Sequence, residues 1–121
     1  MPPIKILVCD DHDAIRESIK LILGNSGYSL YFALDGKEAI EKAKQLKPEI
    51  ILLDIKMPKL SGLDAIEQIK TASPQTKIIM MSGYEQPEVI KEALSRGAVD
   101  YLPKSFSGEQ LKSAIKAALK K

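Results

Sequence analysis

Four short apolar runs each end in a polar residue that is poor core material. Ile4–Cys9 runs into Asp10-Asp11, Ile50–Leu53 stops at Asp54, Ile78–Met81 stops at Ser82, and Val99–Pro103 stops at Lys104. A buried parallel strand reads as a continuous apolar run, because both of its faces are covered. In an open α/β sheet, ligands bind outside the carboxyl ends of the strands. Three carboxylates, a hydroxyl and an ammonium are therefore expected along one edge of one sheet. Such a set suits a divalent cation and a phosphoryl group.

The segments between these runs have helical periodicity. Ile4–Cys9 is expected as the first strand and Asp13–Gly24 as a helix, with Ile15, Ile19, Ile22 and Leu23 on one face. Gly27 breaks it. Tyr28–Leu34 is a weaker strand whose polar content (Ser29, Tyr31) suits a sheet edge. Asp35-Gly36 is a turn or cap signal before a helix over Lys37–Leu46, which Pro48 stops. Glu49–Asp54 is expected as a central strand, and Lys56–Gly62 as a loop. Leu63–Thr71 is the next helix, with Leu63, Ile66 and Ile69 inward. Lys77–Met81 is the fourth strand. Pro87–Arg96 is a helix with Pro87 in its first turn and Gly97 as its cap. Val99–Leu102 is the fifth strand. Ser107, three residues before Gln110, reads as a capping box for a last helix striped by Leu111, Ala114, Ile115, Ala118 and Leu119. Five strand–helix alternations imply a parallel sheet covered on both faces.

At 121 residues the chain is expected to be one domain, 1–121, large enough to fold without disulfide or metal. A formal charge of +2 does not argue for nucleic acid or an anionic membrane as partner. The single Cys9 cannot form an internal disulfide and reads as a small strand hydrophobe. No segment approaches the length of a membrane span or a secretory core, so a cytoplasmic location is expected.

Each polar residue also has an ordinary reading. Asp10 and Asp11 could cap the following helix, and Asp54 could cap a turn. Three neighbouring carboxylates repel, however, and need a counter-charge. Hard oxygen ligands select Mg²⁺ or Mn²⁺. A carboxylate such as Asp54 can attack phosphorus to form an acyl phosphate, with Lys104 neutralising charge and Ser82 donating a hydrogen bond. His12, the one histidine, is expected to begin the first helix as a surface residue.

The acidic pair Asp10-Asp11, the segment Pro48–Pro58 around Asp54 followed by Gly62, then Ser82-Gly83 and Lys104 resemble the receiver domain of two-component response regulators over essentially the whole chain. The resemblance implies a flavodoxin-like (βα)5 sandwich with strand order 2-1-3-4-5. It implies that Asp54 accepts a phosphoryl group from a phosphohistidine of a sensor kinase or a histidine phosphotransfer protein. Asp11, Asp54 and the Lys56 carbonyl would bind Mg²⁺ (or Mn²⁺) directly, with Asp10 acting through water. Ser82 and Tyr101 would be the switch residues, reporting to a downstream effector or output domain. Self-catalysed phosphorylation and dephosphorylation are implied, without turnover of an external substrate. A homodimer through the fourth and fifth helices is a further expectation, although Glu88, Lys91, Glu92, Lys112 and Lys116 read equally well as solvated.

Two departures bear on the chemistry. The family usually has proline after the lysine, commonly in a cis peptide, whereas this chain has Ser105. Cis before a non-proline costs about 2.5–4 kcal/mol, so either a trans peptide with a rearranged loop or a strained cis bond is expected. By the same resemblance Lys56 and Tyr84, each two residues past a site residue, would flank the phosphoryl position together with Gly83; a long cation and a bulky ring there predict a long-lived acyl phosphate, the alternative being that both side chains point to solvent. The competing readings are a degenerate receiver used only for protein interaction or dimerisation, and a small metal-dependent hydrolase, which would need a general acid–base and a substrate pocket.

Overall fold

The computed structural model describes residues 3–57, 59–83 and 87–121. Five strands and five helices alternate: β1 (Lys5–Cys9), α1 (Asp13–Leu23), β2 (Ser29–Ala33), α2 (Gly36–Leu46), β3 (Ile50–Asp54), α3 (Gly62–Ala72), β4 (Lys77–Ser82), α4 (Pro87–Arg96), β5 (Asp100–Pro103) and α5 (Gly108–Leu119). The strands form one parallel sheet in the order β2-β1-β3-β4-β5. β3 is central and buried throughout, and β2 is an edge. Boundaries differ from expectation by a residue or so. One such difference is at Val99, which precedes β5 yet still donates its amide to Ile78 O at 2.8 Å.

Successive strand side chains point to opposite faces, so an uninterrupted apolar run fills two cores at once. Leu7, Cys9, Ile51, Leu53, Ile78 and Met80 lie on the face covered by α2, α3 and α4. Ile6, Val8, Ile50, Leu52, Ile79 and Met81 lie on the other, under α1 and α5. The helices supply matching stripes: Ala39 and Ala43 of α2, Ala65, Ile66 and Ile69 of α3, Ile19 and Leu23 of α1, and Leu111, Ile115 and Ala118 of α5. Burial holds the Cys9 thiol well above its usual pKa. No helix of the described residues is long and apolar enough to cross a membrane.

Three helix starts, those of α2, α3 and α5, carry side-chain caps. Asp35 accepts from the Glu38 amide, Ser61 from Asp64, and Ser107 from Gln110 in a reciprocal capping box. The Ser61 cap has no counterpart in the sequence reading, which placed that serine in a loop. Gly62, the first residue of α3, is packed so closely on β3 that a Cβ would stand 2.1 Å from the Asp54 carbonyl oxygen. Glycine is needed there because the helix start and the strand end share that space.

The amino ends of β3 and β4 are tied by a buried polar knot. Thr76 Oγ1 donates to Pro48 O at 2.7 Å and lies 2.6 Å from Ser73 Oγ. Lys70 Nζ donates to Pro74 O and Thr76 O, both at 2.9 Å. Thr76→Val keeps the shape but leaves the Pro48 carbonyl and the Ser73 hydroxyl without that partner. The expected loss is about 1–3 kcal/mol of unfolding free energy, measurable by urea denaturation.

Candidate functional site

β1, β3, β4 and β5 are neighbours, so the residues at their carboxyl ends fall side by side. Asp10 follows β1, Asp54 ends β3, Ser82 ends β4 and Lys104 follows β5. The edge lies beside the point where the chain, having placed β2 on one side of β1, places β3 on the other. Ligands bind at such reversals. His12, Asp54, Ile55, Lys56, Ser82, Gly83 and Lys104 line a cleft of about 230 Å³ there.

The carboxylates differ in setting. Asp10 is fully buried and Asp54 nearly so, whereas Asp11 is largely exposed. Asp10 is held from several sides: its amide donates to Ala33 O at 3.1 Å, Arg16 Nη1 donates to its carbonyl at 2.8 Å, and the His12 amide donates to its Oδ1 at 2.9 Å. The Lys56 amide approaches Asp54 Oδ1 at 3.3 Å. Lys104 Nζ lies 3.0 Å from Asp54 Oδ2 and 3.1 Å from Asp10 Oδ2, bridging β5 to β3 and β1. The Lys104–Ser105 peptide is trans. Ser105 sits in a turn closed by the Phe106 amide donating to Pro103 O at 3.0 Å, and the Lys104 amide donates to Ser82 O at 2.9 Å. The proline substitution thus leaves the ammonium within reach of both carboxylates.

Burial pushes the Asp54 carboxyl above the usual carboxylate range; Lys104 opposes this and the Asp10 charge adds to it. Burial pushes the Lys104 ammonium down, but its contacts with Asp54 and Asp10 outweigh that and hold it above the ordinary lysine value.

The sequence reading of His12 holds for its position and exposure but does not extend to its ring. His12 stands at the start of α1, as the residue before its first turn, and its side chain is 57% exposed. Its ring, however, makes no cap hydrogen bond and turns into the acidic cluster. Nδ1 lies 2.8 Å from Asp10 Oδ1 and 3.3 Å from Asp11 Oδ1. The available signal was adjacency: a histidine directly after two carboxylates at a strand end. Tyr101, in β5, is partly buried against the core on the α2–α4 face. Tyr84, predicted to flank the phosphoryl position, and Pro58, part of the motif, lie outside the described residues.

The donors fit a divalent cation. One ligand atom each from Asp10, Asp11, His12 and Asp54 can be chosen so that all lie within 4.8 Å of one another. Asp10 Oδ2 and Asp54 Oδ2 are buried and meet the Lys104 ammonium as ion pairs, but neither receives a hydrogen bond of good geometry. Buried carboxylate oxygens in that condition are suited to a hard cation.

Comparison with known proteins agrees with this geometry. The family model for the response regulator receiver domain matches residues 6–116. The chain is 38% identical over 112 residues to the chemotaxis protein CheY of Thermotoga maritima, covering 92% of this chain and 93% of that one. It is 35% identical over 119 residues to the response regulator MprA of Mycolicibacterium vanbaalenii, covering 98% of this chain and 52% of MprA. The chain thus spans about half the length of the MprA regulators. Among solved structures, a CheY-like receiver domain protein from Methanospirillum hungatei superposes with a TM-score of 0.92 at 32% identity, covering 98% of this chain and 94% of that one. The response regulator domain of Thermotoga maritima CheB gives 0.88 at 36% identity, covering 98% of each. Strand order, edge residues and family match together place this chain in the response regulator receiver domain family.

Proposed function

We propose that residues 1–121 act as one phosphorylation-controlled receiver, with Asp54 as the phosphoryl acceptor. The observation that carries this is Asp54 itself: a buried carboxylate at the end of an apolar central strand, opening on a cleft and bridged by Lys104. An oxygen of Asp54 attacks the phosphorus of a phosphohistidine, the P–N bond breaks, and the electron pair returns to the donor imidazole. Such transfer needs positioning and charge neutralisation more than covalent help. Lys104 supplies one positive charge at the acceptor, and the Ser82 hydroxyl donates to a phosphoryl oxygen. Asp11, Asp54 and the Lys56 carbonyl would hold Mg²⁺ or Mn²⁺, with Asp10 supporting the site through water. When bound, the ion neutralises charge on the transferring group.

The donor is a sensor histidine kinase or a histidine phosphotransfer protein, and the recipient of the signal is a downstream effector or an attached output domain. Ser82 and Tyr101 carry the change outward: drawing Ser82 toward the phosphoryl group frees space for the Tyr101 ring and alters the α4–β5–α5 surface. The chain acts on itself and turns over no external substrate.

Incubation with acetyl phosphate and Mg²⁺, read by intact-mass spectrometry, tests this. Wild type is expected to gain one phosphoryl group in a metal-dependent manner and Asp54→Ala none. A wild type that stays unmodified while folded would favour the degenerate interaction module. Lys56→Asn is expected to shorten the lifetime of the acyl phosphate severalfold by opening the cleft to water; an unchanged decay rate would remove the shielding role. The raised Asp54 pKa sets a pH dependence. A carboxyl whose pKa is raised on folding favours the fold fully below its unfolded value, near 3.8, and that contribution is lost as pH rises through the folded value. Without divalent cation, Asp54→Asn is therefore expected to melt above wild type at pH 7, the gap closing as pH falls toward 3.8. Thermal scans across that range check it.

A further inference from the structure

We propose that His12 Nδ1 is a ligand of the cation site, so that the site accepts a nitrogen-preferring divalent ion such as Zn²⁺ in addition to Mg²⁺. The inference rests on the same cation site as the proposed function and adds a donor that an all-oxygen reading leaves out.

Three observations carry it. First, the spacings from the ring to Asp10 and Asp11 match a shared ion, and Asp54 stands farther off. Donors bound to one metal at ~2.1 Å lie about 3.0 Å apart in an octahedral shell and about 3.4 Å apart in a tetrahedral one. His12 Nδ1 stands 2.8 Å from Asp10 Oδ1, 3.3 Å from Asp11 Oδ1 and 3.9 Å from Asp54 Oδ2.

Second, the donors gather beside a positive charge that the cluster already attracts. Lys104 Nζ is 3.0 Å from Asp54 Oδ2, 3.1 Å from Asp10 Oδ2 and 3.2 Å from His12 Nδ1. Asp10 and Asp54 are buried, and these two oxygens aim into the cluster without a hydrogen bond.

Third, hydrogen bonding alone satisfies the ring poorly. If Nδ1 carries a proton, it can serve one carboxylate but then faces the Lys104 ammonium as a second donor. If it carries none, it accepts from Lys104 but stands against the Asp10 oxygen. A metal ion accepts all of these lone pairs together. The neutral ring then keeps its proton on Nε2.

The donor set determines the ion. Carboxylate and carbonyl oxygens suit Mg²⁺, whereas imidazole suits zinc and later first-row metals. Addition of one imidazole therefore raises affinity for Zn²⁺ and contributes little to Mg²⁺.

The test uses the full chain with Zn²⁺ or Mg²⁺ alone. His12 is the single histidine, so its imidazole resonances in nitrogen-15 NMR are unambiguous. Cys9 is buried, which keeps its thiol from competing. Zn²⁺ is expected to shift the Nδ1 resonance at one equivalent. By calorimetry His12→Asn, which keeps a hydrogen-bond donor beside Asp10 but no imidazole, is expected to lose at least tenfold in Zn²⁺ affinity and less than threefold in Mg²⁺ affinity. The proposal is overturned if Zn²⁺ does not bind, if it binds without moving Nδ1, or if His12→Asn binds Zn²⁺ as wild type does. The wild-type NMR titration needs no variant, so a misfolded mutant does not shield the idea. Absence of Mg²⁺ binding would count against the phosphoryl-acceptor reading and leave the zinc result to be judged separately.

Discussion

Two buried carboxylates on adjacent strands share one ammonium, and the rest of the structure is arranged around that contact. Asp10 and Asp54 repel each other in a medium of low dielectric, and Lys104 reaches both from β5. A buried charge set of this kind is poor evidence of stability, since desolvation offsets much of the attraction. Its value lies in chemistry. The sheet holds the Asp54 carboxylate where its charge is costly, and under the proposed function an incoming cation or phosphoryl group changes that cost. Local strain of this sort persists only where the surroundings are rigid, and here two full apolar cores provide the rigidity.

Much of this was legible in the chain. The runs Ile50–Leu53 and Ile78–Met81 leave no exposed face, which marks a doubly covered parallel strand. The polar residue ending each run marked the working edge. Capping at Ser107 and Gln110 was readable because the box is a local pattern. Ser61 was not, since its cap depends on where α3 begins, and that is set by the tight approach of Gly62 to the Asp54 carbonyl, a long-range contact. The place of His12, exposed and directly before α1, was legible too; the direction of its ring was not. Position before a helix is local, but the direction of a ring depends on what the neighbouring strands bring beside it. The trans peptide at Ser105 resolved an alternative that energetics alone left open.

The two ends of the sheet are built differently. At the amino end of β3 and β4, Thr76, Ser73 and Lys70 satisfy buried groups from both chain segments, and Lys47 Nζ adds a bond to Ala72 O at 2.8 Å. At the carboxyl end, the described residues add charge contacts around a cleft, with Lys104 bridging Asp10 and Asp54. Arg96 joins this pattern from the side, reaching Glu92 at 2.8 Å, Asp64 at 3.2 Å and Leu63 O at 3.1 Å, and so linking α4 to the start of α3. The helix that follows Asp54 and the helix that follows Ser82 are thereby tied by side-chain contacts at the surface.

The division of each strand between two cores has a consequence for how such a chain can diversify. Adding or removing a single residue within β3 would exchange every side chain between the α1–α5 face and the α2–α4 face. It would also carry Asp54 one position along the strand, away from Lys104. Within β3 the facing of the side chains forbids a change by one residue, and the place of Asp54 beside Lys104 forbids a change by two, so substitution is what stays open. Connections beyond the strand ends carry no such constraint. A lineage built on this frame can lengthen or shorten its loops and recolour its helices while the count of residues from Ile50 to Asp54 stays unchanged.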